Sequence, residues 1–149
     1  MSTDSGAAVP PSDALGYLLK HATLRLTALT DAALGPHGID SKDLGVLRVL
    51  SRKEPMSQLQ VAQTLDIDRT TMVALLDGLE RQGIVTRHPD PEDRRRNLVE
   101  LTTAGSVIYE AAEGVRKAME VEFLAPIEHG GGERLRRLLR ALVANPNAQ

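Results

Sequence analysis

The residues best equipped for chemistry fall between positions 57 and 101. Arg94-Arg95-Arg96 is a run of three guanidinium groups set directly after the acidic residues Asp90, Glu92 and Asp93. A guanidinium is planar, permanently charged and forked, so it suits phosphates, guanine edges and the negative potential of a narrow minor groove. A second group, Arg69-Thr70-Thr71, brings a cation and two hydroxyls together. At the start of a helix such groups, with the backbone amides and the positive end of the dipole, meet phosphates or base edges. Each group also has a plainer reading. A short charge run is commonly a solvated loop, and a polar helix start needs no ligand.

Other chemistries fare worse. The carboxylates of Asp90, Glu92 and Asp93 would make a metal cluster on their own, but three adjacent arginines make charge balance the simpler account. His21, His37, His88 and His129 have no metal-ligand spacing, and no cysteine assists them. His129-Gly130-Gly131-Gly132 resembles an esterase oxyanion loop, yet the G-x-S-x-G elbow is absent. There is no phosphate-binding glycine loop either. No catalytic residue, metal ligand or cofactor is assigned, and the expectation is a protein that is not an enzyme. An enzyme using the carboxylates near the arginines stays as a rival, opposed by the lack of a nucleophile–base motif.

The elements that must position these groups can be read locally. Ser57 opens an S-x-x-Q capping box with Gln60, and Val61, Ala62 and Leu65 continue it as an apolar helical stripe. Asp66-Ile67-Asp68 breaks that helix, and Asp68 suits the N-cap of a second. Met72, Leu75, Leu76 and Leu79 then share one face, with Thr70, Val73, Ala74, Asp77 and Arg81 opposite. Gly83 stops the helix. Residues 84–88 and 97–101 read as two short strands around the turn-rich, basic PDPEDRRR. The expectation is a helix-turn-helix followed by a hairpin whose arginine-bearing tip reaches a backbone or a minor groove.

The run LDIDRTTMVALLDGLERQGIVTRHPDPEDRRRNLVELTTAG resembles the signature region of the MarR family of transcription regulators. The resemblance spans nearly the whole chain and is most specific over about residues 56–105. It implies a mainly α fold with a small β-hairpin wing, a winged helix-turn-helix with N- and C-terminal dimerisation helices. It implies a sequence-specific double-stranded DNA-binding regulator, usually a repressor, that works as a homodimer. By the family's wing motif, Arg95 enters the minor groove and Asp93 holds it, while Arg94 and Arg96 meet phosphates. Val73 and Ala74 stand where relatives often carry Thr and Arg. That departure removes two polar base readers and leaves room for contact with thymine methyls. Asp66 stands where relatives often have glycine, and aspartate tolerates the left-handed conformation well. The candidate DNA-contacting set also takes in Ser57 and Gln58 at the first motif helix and Arg87 on the first strand. A small anionic or aromatic effector is implied, bound between the dimer helices and the winged segment, with Tyr17, His21, Arg25 and His37 as candidate lining.

Composition sets the frame. The chain has 149 residues and a formal net charge of −2, so attraction to DNA must be local rather than global. Without cysteine there are no disulfides and no thiol sensing, which fits a reducing cytoplasm. The aromatics Tyr17, Tyr109 and Phe123 are too few for a single-strand stacking platform. MSTDSGAAVPP lacks the features of a signal peptide, and no apolar run approaches a membrane span. The expected organisation is one domain. Residues 1–11 form a flexible arm, 12–34 and 103–145 the dimerisation helices, and 40–101 the DNA-binding region. Leu15, Leu18, Leu19, Ala22, Leu26, Leu29 and Ala33 make one broad stripe, and Leu135, Leu138, Leu139, Leu142 and Val143 make another. Left alone, these stripes would expose a large apolar surface, so a symmetric dimer is expected, with intramolecular packing as the alternative. A winged-helix module for protein partners, without specific DNA binding, is the other function these features allow.

Overall fold

The structure, a computed structural model, describes residues 10–144. Residues 1–9 of the expected arm, and residue 145 of the expected C-terminal helices, lie outside the described residues. In chain order the elements are α1 (Leu15–Leu34), α2 (Ser41–Leu50), β1 (Met56–Ser57), α3 (Gln58–Leu65), α4 (Arg69–Arg81), β2 (Val85–Pro89), β3 (Asn97–Leu101), α5 (Thr103–Leu124) and α6 (Gly131–Val143). Short 3-10 turns at Pro11–Asp13 and Gly35–His37 bracket α1.

Local chemistry accounts for most of the boundaries. Asp40 caps α2 in a reciprocal box with Asp43, and Ser57 caps α3 in one with Gln60. Asp66 ends α3 in the left-handed region at φ 51°, and Asp68 caps α4 by accepting the Thr71 amide. Thr102 starts α5, accepting the Gly105 amide while its hydroxyl donates to Gly83 O at 2.6 Å. The α5 start is thus stitched to the turn that ends α4.

The core lies under the winged segment. Leu34, Leu44, Val46, Leu47, Val61, Met72, Leu76, Leu79, Ile84, Val85, Val99 and Ala112 are all buried. Each large apolar side chain removed from water there contributes roughly 1.5–3 kcal/mol. Leu75, grouped with them by periodicity, is only half-buried at the edge.

Two expectations need correction. The sheet is three-stranded rather than a bare hairpin, in the order β1-β3-β2, with Met56 paired to Val99. A two-residue strand is too short to show alternation in sequence. On α5, where helical periodicity predicts a stripe of Val107, Ile108, Ala111, Val115, Ala118, Met119 and Glu122, only part of that stripe faces inward. Gly105 and Ala112 are buried, with Ile108, Tyr109 and Val115 against the core, whereas Val107 is 67% exposed and Ala111 is exposed. Gly105 sets this phase. A Cβ on it would stand 2.0 Å from Ile84 O, so only glycine permits the approach.

α5 packs along α1 and α2. Arg48 of α2 reaches Glu113 of α5 at 2.7 Å, Arg116 bridges Glu113 and Glu120, and Arg136 of α6 meets Glu120 at 2.6 Å. α6 buries none of its own residues within the chain. Leu15, Leu18, Leu138, Leu142 and Val143 remain exposed at the two ends of the fold.

Candidate nucleic-acid interface

The start of α4 offers an exposed Arg69 and Thr70, with Ala74 exposed one turn on and Val73 half-buried. Thr71 is committed differently. Its amide donates to Asp68 Oδ1 at 2.9 Å and its hydroxyl to Asp68 Oδ2 at 2.6 Å. These bonds, the hydroxyl's first, hold the Asp68 carboxyl below the usual carboxylate range. The cap therefore places a negative charge at the helix start. The positive charge at this end is then the Arg69 side chain's, with the α4 dipole offset by the Asp68 carboxylate.

The wing loop is closed by its own backbone, with Asp90 N–H donating to Arg96 O at 2.8 Å and Arg96 N–H to Asp93 O at 2.9 Å. Asp93 Oδ1 accepts the Arg95 amide at 3.1 Å. Arg94, Arg95 and Arg96 are all exposed, Arg95 with 93% of its side chain accessible. Arg69 on one side and Arg95, Arg96 and Asn97 on the other line one cleft of about 500 Å³. Its remaining wall comes from Gln58, Gln63 and Leu59 of α3. Gln58 Oε1 is buried there without a hydrogen-bond partner. Gln63 and Asn97 were not anticipated from sequence, because nothing local marks them. Ser57 borders the cleft but is 1% exposed, and its hydroxyl accepts the Gln60 amide, so its part is to cap α3. Among the described residues no group of three His, Asp or Glu side chains is placed to hold a metal ion.

This is the arrangement of a winged helix-turn-helix, and comparison with known proteins agrees. The sequence profile of the MarR family matches residues 37–96. A probable transcriptional regulator from Pseudomonas aeruginosa shares 30% identity and a TM-score of 0.81, over 88% of this chain and 98% of that one. The chain belongs to the MarR family. The transcriptional repressor NicR of Pseudomonas putida is 28% identical over 134 residues, covering 89% of this chain and 84% of NicR. The repressor CouR of Rhodococcus jostii, solved on a 23-mer DNA duplex, is 28% identical with a TM-score of 0.80, over 90% of this chain and 94% of that one.

Within this MarR-family fold Arg87 and the four candidate effector-lining residues sit apart from the cleft at the wing root. Arg87 does not face outward with the wing arginines. Its side chain is 18% exposed and is held by Asp77 and Glu80 of α4. Tyr17, His21 and Arg25 lie on one exposed stripe of α1, with the Tyr17 and His21 rings 4.0 Å apart between centroids. His37 sits exposed in the turn beyond α1. None of the four lines either of the clefts at the wing root or at the α2–α5 junction. Among the described residues no helix is long and apolar enough to cross a membrane.

Proposed function

We propose that this MarR-family protein is a transcriptional repressor, not an enzyme, that binds a pseudo-palindromic operator as a homodimer in the cytoplasm. The observation carrying the reading is the convergence of Arg69 and the wing arginines on one cleft. A duplex backbone passing between α4 and the wing meets cations from both sides, while the α4 start enters the major groove and Arg95 the adjacent minor groove. Arg94 and Arg96 then bind phosphates, and Thr70, Val73 and Ala74 face the bases. The names of NicR and CouR as repressors, and the CouR–duplex structure, support the same reading.

The dimer is supported by the exposed leucines of α1 and α6, which cover one another when two copies meet. An anionic or aromatic effector is the regulatory part of the proposal. The tilted Tyr17–His21 ring pair and Arg25, beside that apolar surface, would line its site once the second copy closes over α1. Such a ligand acts by binding one spacing of the two recognition helices better than the other. Duplexes selected from a randomised library, followed by titration across a salt series, test the reading. Preference for the selected duplex over a scrambled one, with a steep salt dependence, is expected. Equal affinity for both would defeat it.

A further inference from the structure

α4 and the wing can grip one duplex only if their mutual placement is held, and backbone pairing alone does not hold it. β2 is an edge strand, bonded on one side to β3 and open on the other. The open side faces α4: Val85 packs into the core shared with Leu76 and Leu79, and among the described residues every hydrogen bond from β2 to α4 comes from one residue. The Arg87 guanidinium meets Asp77 Oδ1 at 2.5 Å and Glu80 Oε1 at 3.1 Å, and its Nε meets Glu80 Oε2 at 3.2 Å. The Arg87 amide donates to the same Glu80 oxygen at 3.2 Å. Asp77 and Glu80 are three residues apart, so they share a face of α4 and present two carboxylates to one planar fork. Arg87 stands opposite Val99, and two residues further along β2 Pro89 stands opposite Asn97, next to Arg96. A rotation at Arg87 is therefore carried straight to the arginine-bearing tip.

We infer that Arg87 is a positioning residue: with Asp77 and Glu80 it clamps β2 to α4 and so fixes the wing relative to the recognition helix. It rests on the reading that α4 and the wing grip the same duplex. Bonding to Glu80 raises the Arg87 pKa and lowers that of Glu80, in keeping with a pair that stays ionised. Because two carboxylates face one guanidinium, the clamp carries a net negative charge. It contributes geometry and screens Asp77 and Glu80 from the DNA; it does not add attraction. A free Arg87 reaching for phosphate would do the reverse, and the two roles differ in sign.

The test compares wild type with the paired substitution Asp77→Asn plus Glu80→Gln and with Arg87→Lys. Both amides keep the size of the native side chains, and all three sites lie outside the buried core, so thermal unfolding should show intact folds. Hydrogen–deuterium exchange is followed over residues 86–98. Binding is followed on a duplex selected by the wild type and on a scrambled duplex. The clamp predicts several-fold faster exchange at Arg87 and through the wing loop in the paired variant, with the Met72–Leu79 segment unchanged. It predicts a specific-to-scrambled affinity ratio lower by roughly tenfold, as expected for losing two linked ion pairs, with the salt slope kept. Arg87→Lys should lose the ratio too, since an ammonium cannot bridge both carboxylates in a fixed plane. Unchanged wing exchange would overturn the clamp. So would a specific-to-scrambled ratio that stays at the wild-type value in both variants, because the wing would then keep its placement without the bridged carboxylates. A wild type that selects no duplex at all would defeat the operator-binding reading, while the exchange data would still decide the clamp.

Discussion

Asp93 Oδ1 accepts the Arg95 amide at 3.1 Å, while the Arg95 Nε stands 3.4 Å from the same oxygen. The aspartate thus anchors the backbone of the wing tip more firmly than it grips the guanidinium, and the Arg95 side chain stays 93% accessible. Losing Asp93 should therefore loosen the aim of Arg95 without removing its charge.

The three wing arginines should separate accordingly. Arg94→Ala and Arg96→Ala are expected to weaken all duplexes about equally and to lower the log–log salt slope by roughly one each. Arg95→Ala should also lose discrimination at an A·T-rich flank, since groove width is what it reads. Asp93→Ala should resemble a milder Arg95→Ala. Titration of the selected operator and a flank-swapped version across a salt series checks this, and three equal losses on both duplexes would reduce the wing to a charge clamp.

Gly105 and Gly78 should respond to alanine with opposite signs. At Gly105 the new Cβ meets Ile84 O at 2.0 Å, a backbone atom that cannot step aside. Gly105→Ala is expected to cost roughly 3 kcal/mol, at the upper end for overpacking. At Gly78, inside α4, a Cβ meets nothing within 4 Å. Gly78→Ala should stabilise by roughly 0.5–1 kcal/mol through helix propensity. Urea unfolding of both variants measures the pair, and a neutral Gly105→Ala would contradict the packing described for α5.

Burial at the α1–α2 junction pushes the Asp43 carboxyl up to about 6, and the charge of Asp40 adds to the rise. A folded-state value above the unfolded one means that folding takes up a proton. The Asp43 contribution to stability is then full below about pH 4 and is lost as pH rises through about 6. Asp43→Asn keeps an oxygen for the Asp40 amide but cannot ionise. The stability difference between wild type and variant should move in favour of the wild type as pH falls across that window. Parallel stability curves over the window would contradict it.

Association should depend on the chain ends. Leu138→Asp or Leu142→Asp, each placing a charge on the exposed α6 stripe, should convert a dimer to a monomer in sedimentation equilibrium at micromolar concentration. Obligate interfaces of this kind bury about 2,000 Å² or more. A wild-type chain that sediments as a stable folded monomer would exclude the two-fold arrangement.

How much of this was legible in the sequence depended on range. The caps at Ser57 and Asp68 are local, decided by side chains bonding amides within three residues, and the left-handed Asp66 rests on what an aspartate backbone tolerates. Periodicity found the buried face of α4 because Met72, Leu76 and Leu79 repeat at helical spacing. It placed Ile108 and Val115 of α5 against the core but put Val107 and Ala111 there as well, because the face is set by the meeting of Gly105 with Ile84, a contact between distant parts of the chain. The strand at Met56–Ser57 exists through its pairing with Val99 and Leu98, and two residues carry no pattern of their own. At the interface, Arg87 reads from sequence as one more candidate DNA contact. Asp77 and Glu80 lie one turn apart on α4, but only the fold brings that face against β2.

The most direct measurement of the central claim is a hydroxyl-radical footprint on the selected duplex with wild type and Arg95→Ala. Two protected patches related by a two-fold axis are predicted, with half-sites about 10–10.5 base pairs apart centre to centre. Each should carry an outer minor-groove flank whose protection is lost in Arg95→Ala. A single unsymmetric patch, or flanks that stay protected without Arg95, would contradict the account.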